Sequence, residues 1–316
     1  MAETTILFMG TPEFAVPSLS ALVRYGCSVV GAVTQPDRPK GRGRPATQSP
    51  VKTLAQQSGI PVHQPERVRD AVFLETFRAI APDLVVVAAF GQILPKEILE
   101  GPKYGCINVH PSLLPLCRGA APIQWTLIRG ETKTGVTIMQ MEEGVDSGDL
   151  LLQEETPIRA DETFGELQDR LALMGAELLI RVVSMIEEGK TVPTPQEHAL
   201  ATFAPRLKKE DGHISWKKGC REIVDLVRGL SPVPAAYTSL DGKNIKVFSA
   251  SAFESVRTEG PGIAVSLSEE GLAVAAGDGL VFLREIQMEN RNRMSIHDFL
   301  RGYRLAPGTR FGTETR

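Results

Sequence analysis

Asn108-Val109-His110 sets an amide and an imidazole two residues apart. On a strand, residues at that spacing point to the same face. The amide can donate to a developing oxyanion, and the imidazole can move a proton near neutral pH. Taken alone, Asn-x-His also reads as a histidine that caps the following turn. The segment Pro111–Pro122 then holds three prolines and one glycine, too irregular for a strand and stiff enough to wall a pocket. A third group comes from the run Glu142–Asp149, where Asp146 lies between Gly144 and Gly148. A carboxylate there would orient His110 or a water; an Asp between glycines is also a common turn former.

These residues need elements to hold them. Thr5–Met9 reads as a buried strand and Glu13–Tyr25 as a helix stopped by Gly26. Strands follow at Ser28–Val33, Ile60–Val62, Leu84–Ala89, Gly105–His110 and Gly135–Met141, with helices at Val51–Ser58, Ala71–Ile80 and Ala121–Arg129. Leu150–Glu155 reads as an antiparallel strand and Phe164–Glu188 as the longest helix, ended by Gly189. Apolar strands alternating with helices imply a parallel sheet covered on both faces. Such sheets bind ligands beyond the carboxyl ends of their strands, which directs attention to the loops after Met9, Val33 and Ala89. Residues 190–205 are extended and Pro-rich and read as a linker. Beyond them, one helix near Arg221–Gly229 and short strands at 235–239, 245–250, 262–266, 271–275 and 280–287 suggest a small barrel.

Gly10-Thr-Pro-Glu-Phe-Ala15 follows the first strand with a single glycine. The three-glycine fingerprint of a dinucleotide site is missing, which disfavours a nicotinamide-dependent dehydrogenase. The stretch Thr34–Pro50 has no periodicity and carries Arg38, Lys40, Arg42 and Arg44 against one acid, Asp37. It is a solvated loop or a contact for a phosphate backbone.

Composition narrows the classes. The chain has 316 residues, 42% hydrophobic and 23% charged, as expected of about two globular domains. Nothing at the start resembles a signal peptide, and the longest apolar run, Leu84–Phe90, is far short of the ~20 residues a membrane helix needs. A soluble, cytoplasmic protein is expected. Cys27, Cys106, Cys117 and Cys220 form no CxxC pair and have no histidine at ligand spacing, so neither disulfides nor a zinc site has support. The net charge of −3 hides an asymmetry: residues 1–205 hold 18 Lys/Arg and 24 Asp/Glu (−6), and 206–316 hold 17 and 14 (+3). The basic second half includes Lys208 and Lys209, then Lys217, Lys218 and Arg221. It reads as a nucleic-acid platform or as a charged solvated surface.

Six segments in order resemble the methionyl-tRNA formyltransferase family of folate-dependent formyltransferases. They are Phe8–Leu19, Thr34–Arg44, Phe90–Pro95, Ile107–Pro115, Arg118–Trp125 and Met141–Leu151. The resemblance implies an α/β chain: a Rossmann-like formyltransferase domain over 1–189 and an OB-like β-barrel over 206–316 that binds tRNA. It implies formyl transfer from 10-formyltetrahydrofolate to the amino group of methionine on initiator tRNA, without a metal, by a monomer with no membrane partner. Asn108, His110 and Asp146 match the family's catalytic asparagine, histidine and aspartate. Ser112, Leu113, Leu114 and Pro115, with Phe90, Gly91, Ile93 and Leu94, match its folate-binding segments. Arg38, Lys40, Arg42, Arg44, Lys208 and Lys209 are the implied tRNA contacts. At Leu116-Cys117 the chain departs from the basic–aromatic pair often found there. A formyltransferase for a small amine would share the three catalytic types without needing the basic loop. A non-catalytic RNA-binding protein would not need His110.

Overall fold

The computed structural model describes residues 4–39, 46–255, 259–306 and 308–312. The chain forms two compact units. One comprises Met1–Pro122, Lys133–Pro157 and Gln168–Ala204; the other comprises Ile123–Thr132, Ile158–Leu167 and Pro205–Arg316. The division does not fall at one point in the sequence.

The first strand, β1 (Thr5–Gly10), leads to α1 (Val16–Tyr25) and β2 (Ser28–Val33). A short ribbon of β3 (Arg38–Pro39) and β4 (Ala46–Thr47) precedes α2 (Pro50–Gln57). Then come β5 (Val62–His63), α3 (Ala71–Ile80), β6 (Leu84–Ala88), α4 (Lys96–Glu100) and β7 (Cys106–His110). After α5 (Pro122–Ile128), strands β8 (Lys133–Gln140) and β9 (Leu150–Pro157) lead into α6 (Phe164–Glu187). Helix α1 ends where Gly26 takes φ 81°, a left-handed cap that suits glycine. Helix α2 starts where Ser49 Oγ accepts from the Lys52 amide, so the segment 34–50 is not loop throughout.

The sheet order is β5-β2-β1-β6-β7-β8-β9. The first five strands are parallel and wind outward from β1 in both directions, the Rossmann-like arrangement, while β8 and β9 run antiparallel. One face packs Leu7, Met9, Val85, Val87 and Cys106 against Phe73 and Phe77 of α3 and Ile98 of α4. On the other face, the missing Cβ of Gly175 lets α6 approach Val109, because an added carbon would lie 2.7 Å from Val109 Cγ1. Strand β7 therefore turns Val109 toward α6 and Asn108 and His110 the other way.

The second unit contains α7 (Cys220–Leu230), β10 (Ala236–Leu240), β11 (Lys243–Glu254), β12 (Ala264–Ser268), β13 (Gly271–Ala275), β14 (Gly279–Met288), β15 (Met294–Ser295) and α8 (Ile296–Gly302). Its strands form an antiparallel, OB-like sheet in the order β10-β11-β14-β13-β12, with β15 also on β14. Among the described residues no ladder joins β10 to β12. Two register shifts between Val247 and Ala250 bend β11 where it pairs with β14. Ile223, Val227 and Leu230 of α7 pack into the core with Ile245, Val247 and Leu283. Among the described residues no helix is long and apolar enough to cross a membrane.

Helix α7 also buries an ion pair. Arg228 Nε donates to Asp225 Oδ1 at 2.7 Å, with the two residues 6% and 4% exposed. Removing one partner leaves a buried charge without its counterion. Asp225→Ala should lower the unfolding free energy by about 3–5 kcal/mol. Urea denaturation of the full chain measures this, and an unchanged midpoint would show the pair to be dispensable.

Candidate active site

Strand β7 pairs with β6 on one side and β8 on the other, which fixes the heights of Asn108 and His110. Asn108 lies opposite Met139 and His110 opposite Thr137. The Asn108 side chain is partly exposed and bonds to no described residue. His110 is 3% exposed, and its Nε2 lies 3.1 Å from the Cys117 carbonyl oxygen. A carbonyl only accepts, so this contact assigns a hydrogen to Nε2. Nδ1 then faces the Asp146 carboxylate, 3.7 Å from Oδ2. Two residues before Asn108, burial pushes the Cys106 thiol up to about 12, which excludes it as a thiolate nucleophile at neutral pH.

Asp146 sits at φ 48°, in the left-handed region that Asp tolerates better than most residues. Its Oδ2 also accepts from the Gly119 amide at 2.8 Å. The turn carrying it runs between β8 and β9 and is closed at its base by Gln140 N donating to Asp149 O. The wall 111–119 is pinned through Thr137, whose hydroxyl donates to Ser112 O and accepts from Gln153 Nε2. Ser112 Oγ is itself engaged, donating to Leu116 O at 2.6 Å.

Residues 190–205 read as a linker from sequence, but 194–204 are bound to this site. Leu150 and Thr194 exchange a pair of backbone hydrogen bonds. Thr202 Oγ1 accepts from Cys117 N, Thr202 O accepts from Arg118 N, and Ala204 N donates to Arg118 O. Gly119, at φ 120°, permits the approach, since a Cβ there would meet Ala204 O at 2.8 Å. Buried Arg118 donates to Gln196 Oε1, and Gln196 Nε2 donates to the carbonyls of Asp146 and Gly148. Sequence reasoning assigned Gln196 no role. Its only signal was the extended, Pro-rich character of the segment, which suits a strap as well as a tether.

The other expected site residues sort by exposure. Phe90 and Leu94 belong to the core, Ser112 and Leu114 are 1% and 2% exposed, and Leu113 and Pro115 are partly exposed. Ile93 is 90% exposed, and Gly91 is exposed at φ 84°. Leu116 is exposed, whereas Cys117 is buried at φ 58° with its carbonyl facing His110. Of the basic loop, Arg38 is exposed on β3, and Lys40, Arg42 and Arg44 lie outside the described residues. The base of the loop is held by Lys52 Nζ bonding Asp37 and Gln64. The Lys52 bond, then the Gln64 bond, hold the Asp37 carboxyl below its usual range. In the other unit, Lys208 and Lys209 are exposed. Among the described residues no three His, Cys, Asp or Glu side chains gather as a metal site would need.

Comparison with known proteins places this arrangement. The formyl transferase family matches residues 4–183, and the formyl transferase C-terminal domain matches 206–304. The methionyl-tRNA formyltransferase of Syntrophus aciditrophicus (strain SB) is 56% identical over 312 residues, covering 99% of this chain and 100% of the relative. That of Geotalea uraniireducens (strain Rf4) is 50% identical over 312 residues, covering 99% of each chain. Among solved structures, an N-formyltransferase from Helicobacter canadensis, in complex with folinic acid and dTDP-3-aminofucose, shares the fold with TM-score 0.65 at 18% identity, covering 92% of this chain and 100% of that one. With relatives this similar over nearly their whole length, the chain belongs to the methionyl-tRNA formyltransferase family.

Proposed function

We propose that the protein transfers the formyl group of 10-formyltetrahydrofolate to the α-amino group of methionine on initiator tRNA. Asn108, His110 and Asp146 are its catalytic residues. One observation carries the reading: an amide with no bond to any described residue, a buried imidazole and a carboxylate come together on one face of β7, the carboxylate 3.7 Å from the imidazole. The relatives named above support the same substrate pair.

The chemistry follows from those groups. The amine nitrogen bonds to the formyl carbon, the bond from that carbon to folate N10 breaks, and one proton passes from the amine to N10. Negative charge gathers on the formyl oxygen during the attack. The Asn108 amide can donate to that oxygen, and one such donor is typically worth about 3–4 kcal/mol in the barrier. Asp146 Oδ2 is held by Gly119, which leaves the carboxylate's other lone pairs open to a proton. Asp146 takes that proton directly or through a water held beside His110 and passes it on to N10, and such general-base help typically contributes ~10²–10⁴-fold. The exposed backbone at Gly91, the exposed Ile93 side chain and the partly exposed Leu113 and Pro115 suit the flat apolar face of a pterin. Phe90, Leu94, Ser112 and Leu114 are buried and belong to the same two chain segments.

Arg38, Lys40, Arg42 and Arg44 bind tRNA phosphates, together with Lys208 and Lys209 of the OB-like unit. The protein acts as a cytoplasmic monomer, with the tRNA and the folate as its partners.

Asn108→Ala, His110→Ala and Asp146→Ala should each slow single-turnover formylation of Met-tRNA by about 10²-fold or more. Near-wild-type rates in all three variants, or faster turnover of small amines than of Met-tRNA, would sink the reading. Arg42→Ala should weaken tRNA binding and flatten its salt dependence while folate affinity stays unchanged. An equal loss of both affinities would remove the loop from tRNA recognition.

A further inference from the structure

We infer that Gln196 is a positioning residue for Asp146, setting the carboxylate against His110 by gripping the backbone that carries it. The inference rests on the reading that Asp146 moves the proton. Gln196 is 5% exposed, and both ends of its amide are used. Nε2 donates to Asp146 O at 2.9 Å and to Gly148 O at 2.7 Å. Oε1 accepts from Arg118 Nη2 at 2.6 Å and Nε at 3.2 Å. The orientation is forced, because carbonyls only accept and a guanidinium only donates.

Asp146 occupies the left-handed region at φ 48°, where few alternatives to Gly are comfortable. Its backbone carbonyl is fixed by Gln196 and its carboxylate by the Gly119 amide. Arg118 fixes Gln196 from behind, with Nη2 also 3.0 Å from His198 Nδ1. As Gly119 follows Arg118 directly, the chain of bonds closes on itself: Arg118, Gln196, Asp146, Gly119. The carboxylate thus sits in a ring of contacts whose hub is the Gln196 amide.

Gln196→Glu separates the two ends. A carboxylate still accepts from Arg118 but offers nothing to the carbonyls of Asp146 and Gly148. The turn should loosen while the fold stays intact. The expected result is a fall of about 10²-fold in kcat for Met-tRNA formylation, the cost of a displacement near 1 Å. KM for both substrates should stay unchanged, while the melting temperature falls because two buried carbonyls lose their donor. The variant Asp146→Asn/Gln196→Glu should have the kcat of Asp146→Asn alone, since Gln196 acts only through Asp146. Amide exchange at Gly119 should rise in Gln196→Glu, a readout independent of turnover. Gln196→Met, which adds no charge but frees both Arg118 and the two carbonyls, should show the same fall in kcat with a larger fall in melting temperature, and it serves should the glutamate variant fail to fold. Unchanged kcat in the Gln196 variant beside a crippled Asp146→Asn would overturn the inference alone. So would losses that multiply in the double variant, or unchanged protection at Gly119. An Asp146→Asn enzyme with full activity would overturn the catalytic reading and this inference with it.

Discussion

The Gly119 amide and the Asp146 carboxylate are 2.8 Å apart, and this bond joins loops that leave the sheet at different ends. Strand β8 runs antiparallel to β7, so Gln140 at its end lies beside Ile107, near where β7 begins. His110 is at the far end of β7, about 10 Å away at the usual strand rise. The turn 141–149 must therefore fold back over the sheet to bring its carboxylate to the imidazole. Nothing in the ladder demands this. The hydrogen bonds from Gly119 and Gln196 hold it there. Ligand binding beyond strand carboxyl ends explains Asn108 and His110, but it does not explain Asp146.

The strap that holds this turn carries a cost. Arg118 is 6% exposed and has no carboxylate within ion-pair distance among the described residues. A buried cation without a counterion is unfavourable unless its hydrogens are satisfied. Gln196 Oε1 and His198 Nδ1 supply acceptors without adding a negative charge beside Asp146. A carboxylate in place of Gln196 would solvate Arg118 better, but it would repel the carbonyls that the turn presents. An amide is the side chain that faces a cation with one end and carbonyl oxygens with the other. The same logic explains why the histidine is pinned by a backbone carbonyl at Nε2 and not by a second acid, leaving Nδ1 with a single carboxylate.

Much of this was legible in the sequence. The strand Ser28–Val33 and the helix Ala71–Ile80 fall where their apolar spacing puts them, because periodicity over six to ten residues is a strong signal. Strand β6 ends at Ala88, one residue early, where Ala89 turns to φ 46°. The five-residue helix α4 escaped notice, being too short for a helical period to show. The types Asn108, His110 and Asp146 were readable, and so was the shared face of the first two. Their distance from Asp146 was not, since it depends on a turn crossing the sheet. Gln196 left no local trace, because its bonds go to residues some 50 positions away in the chain. Side chains that act through distant backbone carbonyls have no spacing rule to betray them.

A net −3 argues mildly against a polyanion partner, yet the fold removes the one acid from the basic loop. Asp37 is bonded to Lys52 Nζ at 2.5 Å and to Gln64, so its charge is already matched by a cation outside the loop. Arg38 meets Glu66 only at 3.8 Å, with both side chains at least 70% exposed, a contact that water and salt weaken to little. The charge of Arg38 is therefore left nearly uncancelled by its neighbours. At about 8 Å of screening length in physiological salt, a phosphate near Arg38 responds to that charge and hardly to the acidic remainder of the unit. The Lys52–Asp37–Gln64 bonds fix the chain just before Arg38, so that cation is presented from a defined position on the sheet and not from a free tail.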